Sequence, residues 1–192
     1  GERLWTFDTG AAVTATPTPD RGVVVIGSRS YDLYGLDAVT GVPRWNRYVW
    51  YSWIESSARI VDGIAYVGSS DASRLFAIES TTGDQHWESD LHGISWGRPA
   101  VTFDRVYAAV RHSPSIAKHE ANLIALERDT GRAAWHYPCD RPEGATHRGF
   151  GASPVVTRGR VLVGGLDGVL YAFEEGDPVP GRVRRPTKPR AM

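Results

Sequence analysis

One phrase is written three times along this chain: an acid, then Thr-Gly, then Trp. The copies are Asp37…Thr40-Gly41…Trp45, Glu79…Thr82-Gly83…Trp87 and Glu127…Thr130-Gly131…Trp135. In every copy the Thr stands three residues after the acid and the Trp four after the Gly. The tryptophans are 42 and 48 residues apart, and Trp5 stands 40 before the first. A period of about 40–50 residues filled with strand-like content predicts a β-propeller, one blade per repeat. The fold class is therefore all-β, with four four-stranded antiparallel blades.

Each repeat divides into four short strands. Pro17, Ala58, Pro99 and Pro154 open the first strand, where a missing amide donor is tolerated. Apolar, β-branched runs follow at 22–27, 64–68, 106–110 and 161–165, and such runs suit strands buried on both faces. Gly27, Gly68, Ala109 and Gly164 are small enough to let blades approach near the axis. Third strands are expected at 32–38, 74–80, 122–128 and 169–175. Thr-Gly then makes the turn, the glycine supplying positive φ. The outer strand carries the Trp, whose indole buries some 150–250 Å² and offers its N–H to a backbone acceptor. Trp5, Trp45, Trp87 and Trp135 are read as staples between blades.

These phrases resemble the tryptophan-docking motif of PQQ-like β-propeller repeats, over about residues 2 to 176. That family includes quinoprotein alcohol dehydrogenases, the outer-membrane assembly lipoprotein BamB and propellers fused to bacterial serine/threonine kinases. It thus spans enzymes, scaffolds and sensors, and fold does not decide among them. The dehydrogenases stack their quinone on a disulfide of adjacent cysteines and hold calcium with Glu, Asn and Asp. Here there is one cysteine, Cys139, so the resemblance implies neither that platform nor PQQ-dependent oxidation.

The domain is read as residues 1–178, with repeats at about 11–48, 54–90, 95–138 and 151–176. The fourth repeat breaks: Glu175-Gly176-Asp177-Pro178 replaces Thr-Gly and no Trp follows. A spare Trp strand at 3–8 is the complement of that missing strand. It could close blade four into a compact ring, two half-rings could join into the eight blades common in the family, or blades could lie elsewhere in a longer protein. The chain opens Gly-Glu-Arg without Met, and the reading carried forward is a processed or excised polypeptide, its repeats making a ring alone or with a partner.

Chemistry is sought where the period breaks, in loops that packing does not constrain. Trp50, Tyr51, Trp53, Trp96, Arg98, His112, His119, His147 and Arg148 occupy the loops of one face and form the candidate partner-binding set, since Trp, Tyr and Arg are favoured at interface hot spots. His112, His119 and His147 are also the candidates for a metal or an enzymatic site, although no pair has ligand spacing on a regular element. Cys139 has Arg141, His136 and His147 near it in sequence only, too little for an activated nucleophile. Glu174, Glu175 and Asp20 are turn residues, and the glycines serve blade turns, not a phosphate loop. No catalytic, cofactor or metal residues are assigned.

Lys and Arg balance Asp and Glu at 22 each, but five basic residues fall from Arg182 onward with no acid. The stretch 179–192 is a basic, Pro-rich tail, the one place where nucleic acid or anionic lipid could be met. A single cysteine excludes an internal disulfide framework, and no apolar run reaches the roughly 18–20 residues of a membrane span. The expected function is a non-catalytic binding or scaffold module for a protein partner, within a larger bacterial sensor, signalling or defence protein, with homo-oligomerisation possible. The alternatives are a metal-binding or enzymatic propeller using the loop histidines, and an outer-membrane assembly scaffold of BamB type. Compartment is left open between cytoplasm and periplasm.

Overall fold

A computed structural model describes residues 1–116, 118–139 and 148–176. The strands form four antiparallel sheets, each a blade. Blade one is β1 (Thr18–Asp20), β2 (Val23–Gly27), β3 (Asp32–Asp37) and β4 (Pro43–Tyr48). Blade two is β5 (Arg59–Val61), β6 (Ile64–Gly68), β7 (Arg74–Glu79) and β8 (Gln85–Asp90). Blade three is β9 (Ala100–Val101), β10 (Arg105–Val110), β11 (Asn122–Glu127) and β12 (Ala133–Pro138). Blade four has three strands among the described residues: β13 (Val155–Thr157), β14 (Arg160–Gly164) and β15 (Leu170–Glu174). Pro17, Ala58, Pro99 and Pro154 each stand immediately before the first strand of their blade, as the sequence predicts.

The hydrophobic core is a series of seams between blades. Val23, Val25, Leu33, Val67, Phe76 and Ile78 fill the first seam. Tyr66, Leu75, Val106, Ala108, Ile124 and Leu126 fill the second, and Tyr107, Leu123, Phe150, Val161 and Val163 the third. The second strands β6 and β10 are buried on both faces because each inner blade has a neighbour on either side. By contrast β14, expected to be buried likewise, alternates between buried and more open positions because blade four has a neighbour on one side alone among the described residues.

Each seam contains one repeat tryptophan. The indole N–H of Trp45 donates to Ser80 O at 3.0 Å, that of Trp87 to Arg128 O at 2.9 Å and that of Trp135 to Gly176 O at 2.5 Å. The acceptor in each case belongs to the following blade, so the tryptophans are inter-blade staples. Burying one indole removes enough apolar surface to contribute at most about 4–6 kcal/mol.

The Thr-Gly turn is built to receive the indole. Gly41, Gly83 and Gly131 all have positive φ and donate their amides to Asp37 O, Glu79 O and Glu127 O. A Cβ on Gly131 would stand 2.5 Å from Cε3 of Trp87, and one on Gly83 2.8 Å from Cδ2 of Trp45. The acid of the phrase ties the turn together. Asp37 Oδ1 accepts from the amides of Val39 and Thr40 and from the Thr40 hydroxyl, while Oδ2 accepts from Arg44. The Arg44 guanidinium and the Thr40 donors hold the Asp37 carboxyl well below the ordinary carboxylate range.

The innermost strands touch in order, β1 with β5, β5 with β9 and β9 with β13, and no comparable contact joins β13 to β1. The blades therefore describe an open arc. The expected closing strand at 3–8 is not formed within the chain. These residues are in no assigned strand, and among the described residues β15 pairs with β14 alone. The segment lies on the first blade instead, where Trp5 donates to Ala38 O at 3.3 Å. The basic tail, 179–192, lies outside the described residues.

Candidate partner-binding face

The loops joining β2 to β3, β10 to β11, and each outer strand to the next blade supply the irregular residues. They form two zones, an axial zone tied into packing and a rim of exposed aromatics.

In the axial zone Arg29 donates through Nε and Nη2 to Glu55 Oε1, at 2.9 and 2.5 Å. Its guanidinium also lies over the Trp53 ring, 4.6 Å from the centroid. Arg111 stacks in the same way on Trp96, at 3.9 Å, and its backbone exchanges two hydrogen bonds with Ile94. Burial lowers the Arg111 pKa, with the Glu55 charge opposing that shift. Arg98 donates its Nε to Ala58 O at 2.9 Å, and its amide donates to Ser153 Oγ at 2.9 Å. It thus ties neighbouring blades near the axis.

His119 is buried, and its Nε2 lies 2.9 Å from Ser73 Oγ. Burial depresses its pKa below the ordinary imidazole value. A neutral ring clamped to a serine of the preceding blade explains this geometry, so His119 is not presented to a partner. The His112 amide donates to Arg148 O at 3.1 Å, and both residues are half-buried. His147 lies outside the described residues, so the three histidines are not seen together. Among the described residues no group of three or more His, Cys, Asp or Glu is placed to hold a metal. Cys139 is buried in the seam between blades three and four.

The rim is different. Trp50 is 76% exposed and Tyr51 66%. Tyr31, Tyr48, Trp50 and Tyr51 form a continuous ring network with centroid separations of 5.6–6.4 Å. Tyr31 and Tyr51 adopt positive φ, 73° and 45°, a conformation that costs a non-glycine residue about 1–3 kcal/mol. Beside them a groove of about 360 Å³ runs between Arg47, Tyr48, Trp50, Arg74, Phe76 and Glu88. Aromatic area is thus held open to solvent at a cost in backbone strain.

Of the sequence-derived set, Trp50 and Tyr51 are open to solvent. Trp53, at 37% exposed, and Trp96 have a face occupied by an arginine. Sequence reasoning did not select Tyr31 and Tyr48. Tyr48 ends an outer strand and Tyr31 sits in a short loop, and only the fold brings them to Trp50. The Arg29–Glu55 pair, 26 residues apart, likewise has no local signature.

A family model described as outer membrane protein assembly factor BamB matches residues 1–182. The quinoprotein alcohol dehydrogenase PedH of Pseudomonas putida is 30% identical over 135 residues, covering 67% of this chain and 22% of PedH. Among solved structures, BamB from Moraxella catarrhalis superposes with a TM-score of 0.69 at 22% identity, over 90% of this chain and 49% of that one. The computationally designed Ika4 protein gives 0.68 at 16% identity, over 92% of this chain and 99% of that one. The chain spans about a fifth of the curated relative and half of the BamB structure.

Proposed function

The chain belongs to the family of the outer membrane protein assembly factor BamB, and on that premise we propose that it is a non-catalytic scaffold module binding a protein partner through its aromatic rim. The observation that carries this reading is the Tyr31, Tyr48, Trp50 and Tyr51 cluster, in which Tyr48, Trp50 and Tyr51 are open to solvent and which lies outside the docking phrase. Tyr and Trp supply large contact area at small conformational-entropy cost and are enriched at interface hot spots. The bordering groove offers Arg47, Arg74 and Glu88 as a polar margin. The module serves either within a larger bacterial sensor, signalling or defence protein or as an assembly scaffold like its BamB neighbour.

The similarity to PedH favours a second reading, a share in a quinone-binding ring. The described residues do not fit that cofactor. The lone cysteine is buried in a seam, and the indole of Trp96 has a face taken by Arg111.

A photo-crosslinking residue at Tyr51, compared with one at Val39 in the exposed Thr-Gly turn, tests the rim in bacterial cells producing the chain. A discrete protein adduct is expected at position 51 and not at 39, with a yield about tenfold lower in the Trp50→Ser background. Equal adducts at the two positions, or none at position 51, overturn the reading.

A further inference from the structure

We propose that the open edge of β15 is filled by residues 3–8 of a second copy of this chain, so that two arcs close one another into an eight-bladed ring. This goes beyond the partner-binding reading and does not depend on it.

The N-terminal segment already occupies half of such a junction. Trp5 reaches Ala38 O of the first blade as Trp45 reaches Ser80 O, Trp87 Arg128 O and Trp135 Gly176 O. Its ring lies against Gly41 as Trp45 lies against Gly83 and Trp87 against Gly131. Two residues on, Phe7 packs on Tyr34 at 5.1 Å, as Arg47 packs on Phe76 and Tyr137 on Tyr171. Residues 5–7 therefore stand where the outer strand of a preceding blade would stand.

Blade four carries the other half. In the three complete blades the docking Trp pairs across the sheet with a small residue: Gly35 with Trp45, Ala77 with Trp87, Ala125 with Trp135. A Cβ on Gly35 would fall 2.1 Å from Cε2 of Trp45, so the position must stay small. The matching residue of β15 is Ala172, which is exposed and, among the described residues, has a strand partner on the β14 side alone. The same register sets Leu170, 73% exposed, opposite Phe7. Val155, which shares that face with Leu170 and Ala172, is 55% exposed. An unpaired edge with an apolar face is a ready template for an added strand.

A second copy satisfies both halves at once. The strand of each copy would pair with β15 of the other while its Trp5 stays docked on its own first blade, leaving no free edge. The two junctions are equivalent by two-fold symmetry, the commonest form of closed oligomer. Closure by the chain's own segment would require bringing the first and fourth blades together, and their inner strands are not in such contact.

The double variant Phe7→Cys/Leu170→Cys, oxidised under mild conditions, tests the register directly. Covalent dimers on a non-reducing gel are expected, with native mass twice that of the chain by light scattering before oxidation. Ala172→Arg, on an exposed position, is expected to keep the monomer's circular dichroism and to raise the dissociation constant of the dimer about a hundredfold or more. An intramolecular disulfide would mean closure by the chain's own segment. A folded monomer that forms no disulfide would mean that something other than a second copy covers the edge. A dimer insensitive to Ala172→Arg would mean that the copies meet elsewhere. Each of these three results overturns the proposal.

Discussion

Blades three and four carry nearly the same strand and bury it differently. In β11 the run Leu123-Ile124-Ala125-Leu126 is buried throughout. In β15 the corresponding Leu170-Tyr171-Ala172-Phe173 alternates between exposed and half-buried. The local pattern is apolar in both, so the strand forms in both. What differs is the neighbourhood: β11 lies between two blades and inside a complete sheet, whereas among the described residues β15 has a blade on one face and an open edge. In repeat architectures the unit is specified locally, but most of its stability comes from contact with its neighbours. The comparison also separates two uses of exposed apolar surface. Leu170 and Ala172 continue an internal packing rule, whereas Trp50 and Tyr51 continue none.

The comparison breaks most sharply at the staples. Trp87→Ala should cost about 3–5 kcal/mol in urea denaturation, because it empties the seam between two complete blades and orphans Arg128 O. Trp5→Ala at the chain's own end should cost less than half as much in the monomer, since its seam is small. Gly131→Ala comes next, at about 2 kcal/mol, combining a left-handed φ with a collision against Trp87. Gly159→Ala in the open blade keeps the φ penalty but meets nothing within 4 Å, so it should cost about 1 kcal/mol.

His119 sharpens the contrast through pH. Its folded pKa is depressed by burial, so the unfolded chain takes up the proton first as pH falls. The stability of the seam is therefore intact above 6.5, the ordinary value, and declines below it towards the folded pKa. Denaturation curves at pH 7.5 and 5.5 should diverge more for the wild type than for His119→Gln. The smallest effect is expected at the exposed face: Leu170→Ser should change monomer stability by no more than about 0.5 kcal/mol.

Much of the fold was legible because the docking phrase is a local device with a fixed geometry. Acid, Thr, Gly and Trp each have one place in the turn, and their spacing sets strand three, strand four and the blade period together. Pro17, Pro99 and Pro154 marked the strand starts for an equally local reason. The candidate site was legible only in part. Trp50 and Tyr51 stood out by falling outside the phrase, but nothing local distinguished them from Trp53 and Trp96, which are stacked under arginines from other loops. His119 could not be read as buried, because its clamp, Ser73, is 46 residues away. The placement of residues 3–8 depends on which blade edge is free, a property of the arc as a whole.

The account's central claim is that β15 differs in burial from the third strands of the inner blades through its missing neighbours and not through the sequence of the strand itself. Amide hydrogen exchange of β7, β11 and β15, followed by mass spectrometry at protein concentrations below and above association, tests it most directly. Strong protection of β7 and β11 is predicted at both concentrations, with β15 protected only where the second copy supplies its edge. Equal protection of β15 and β11 in the dilute monomer, or no gain in β15 on association, would contradict it.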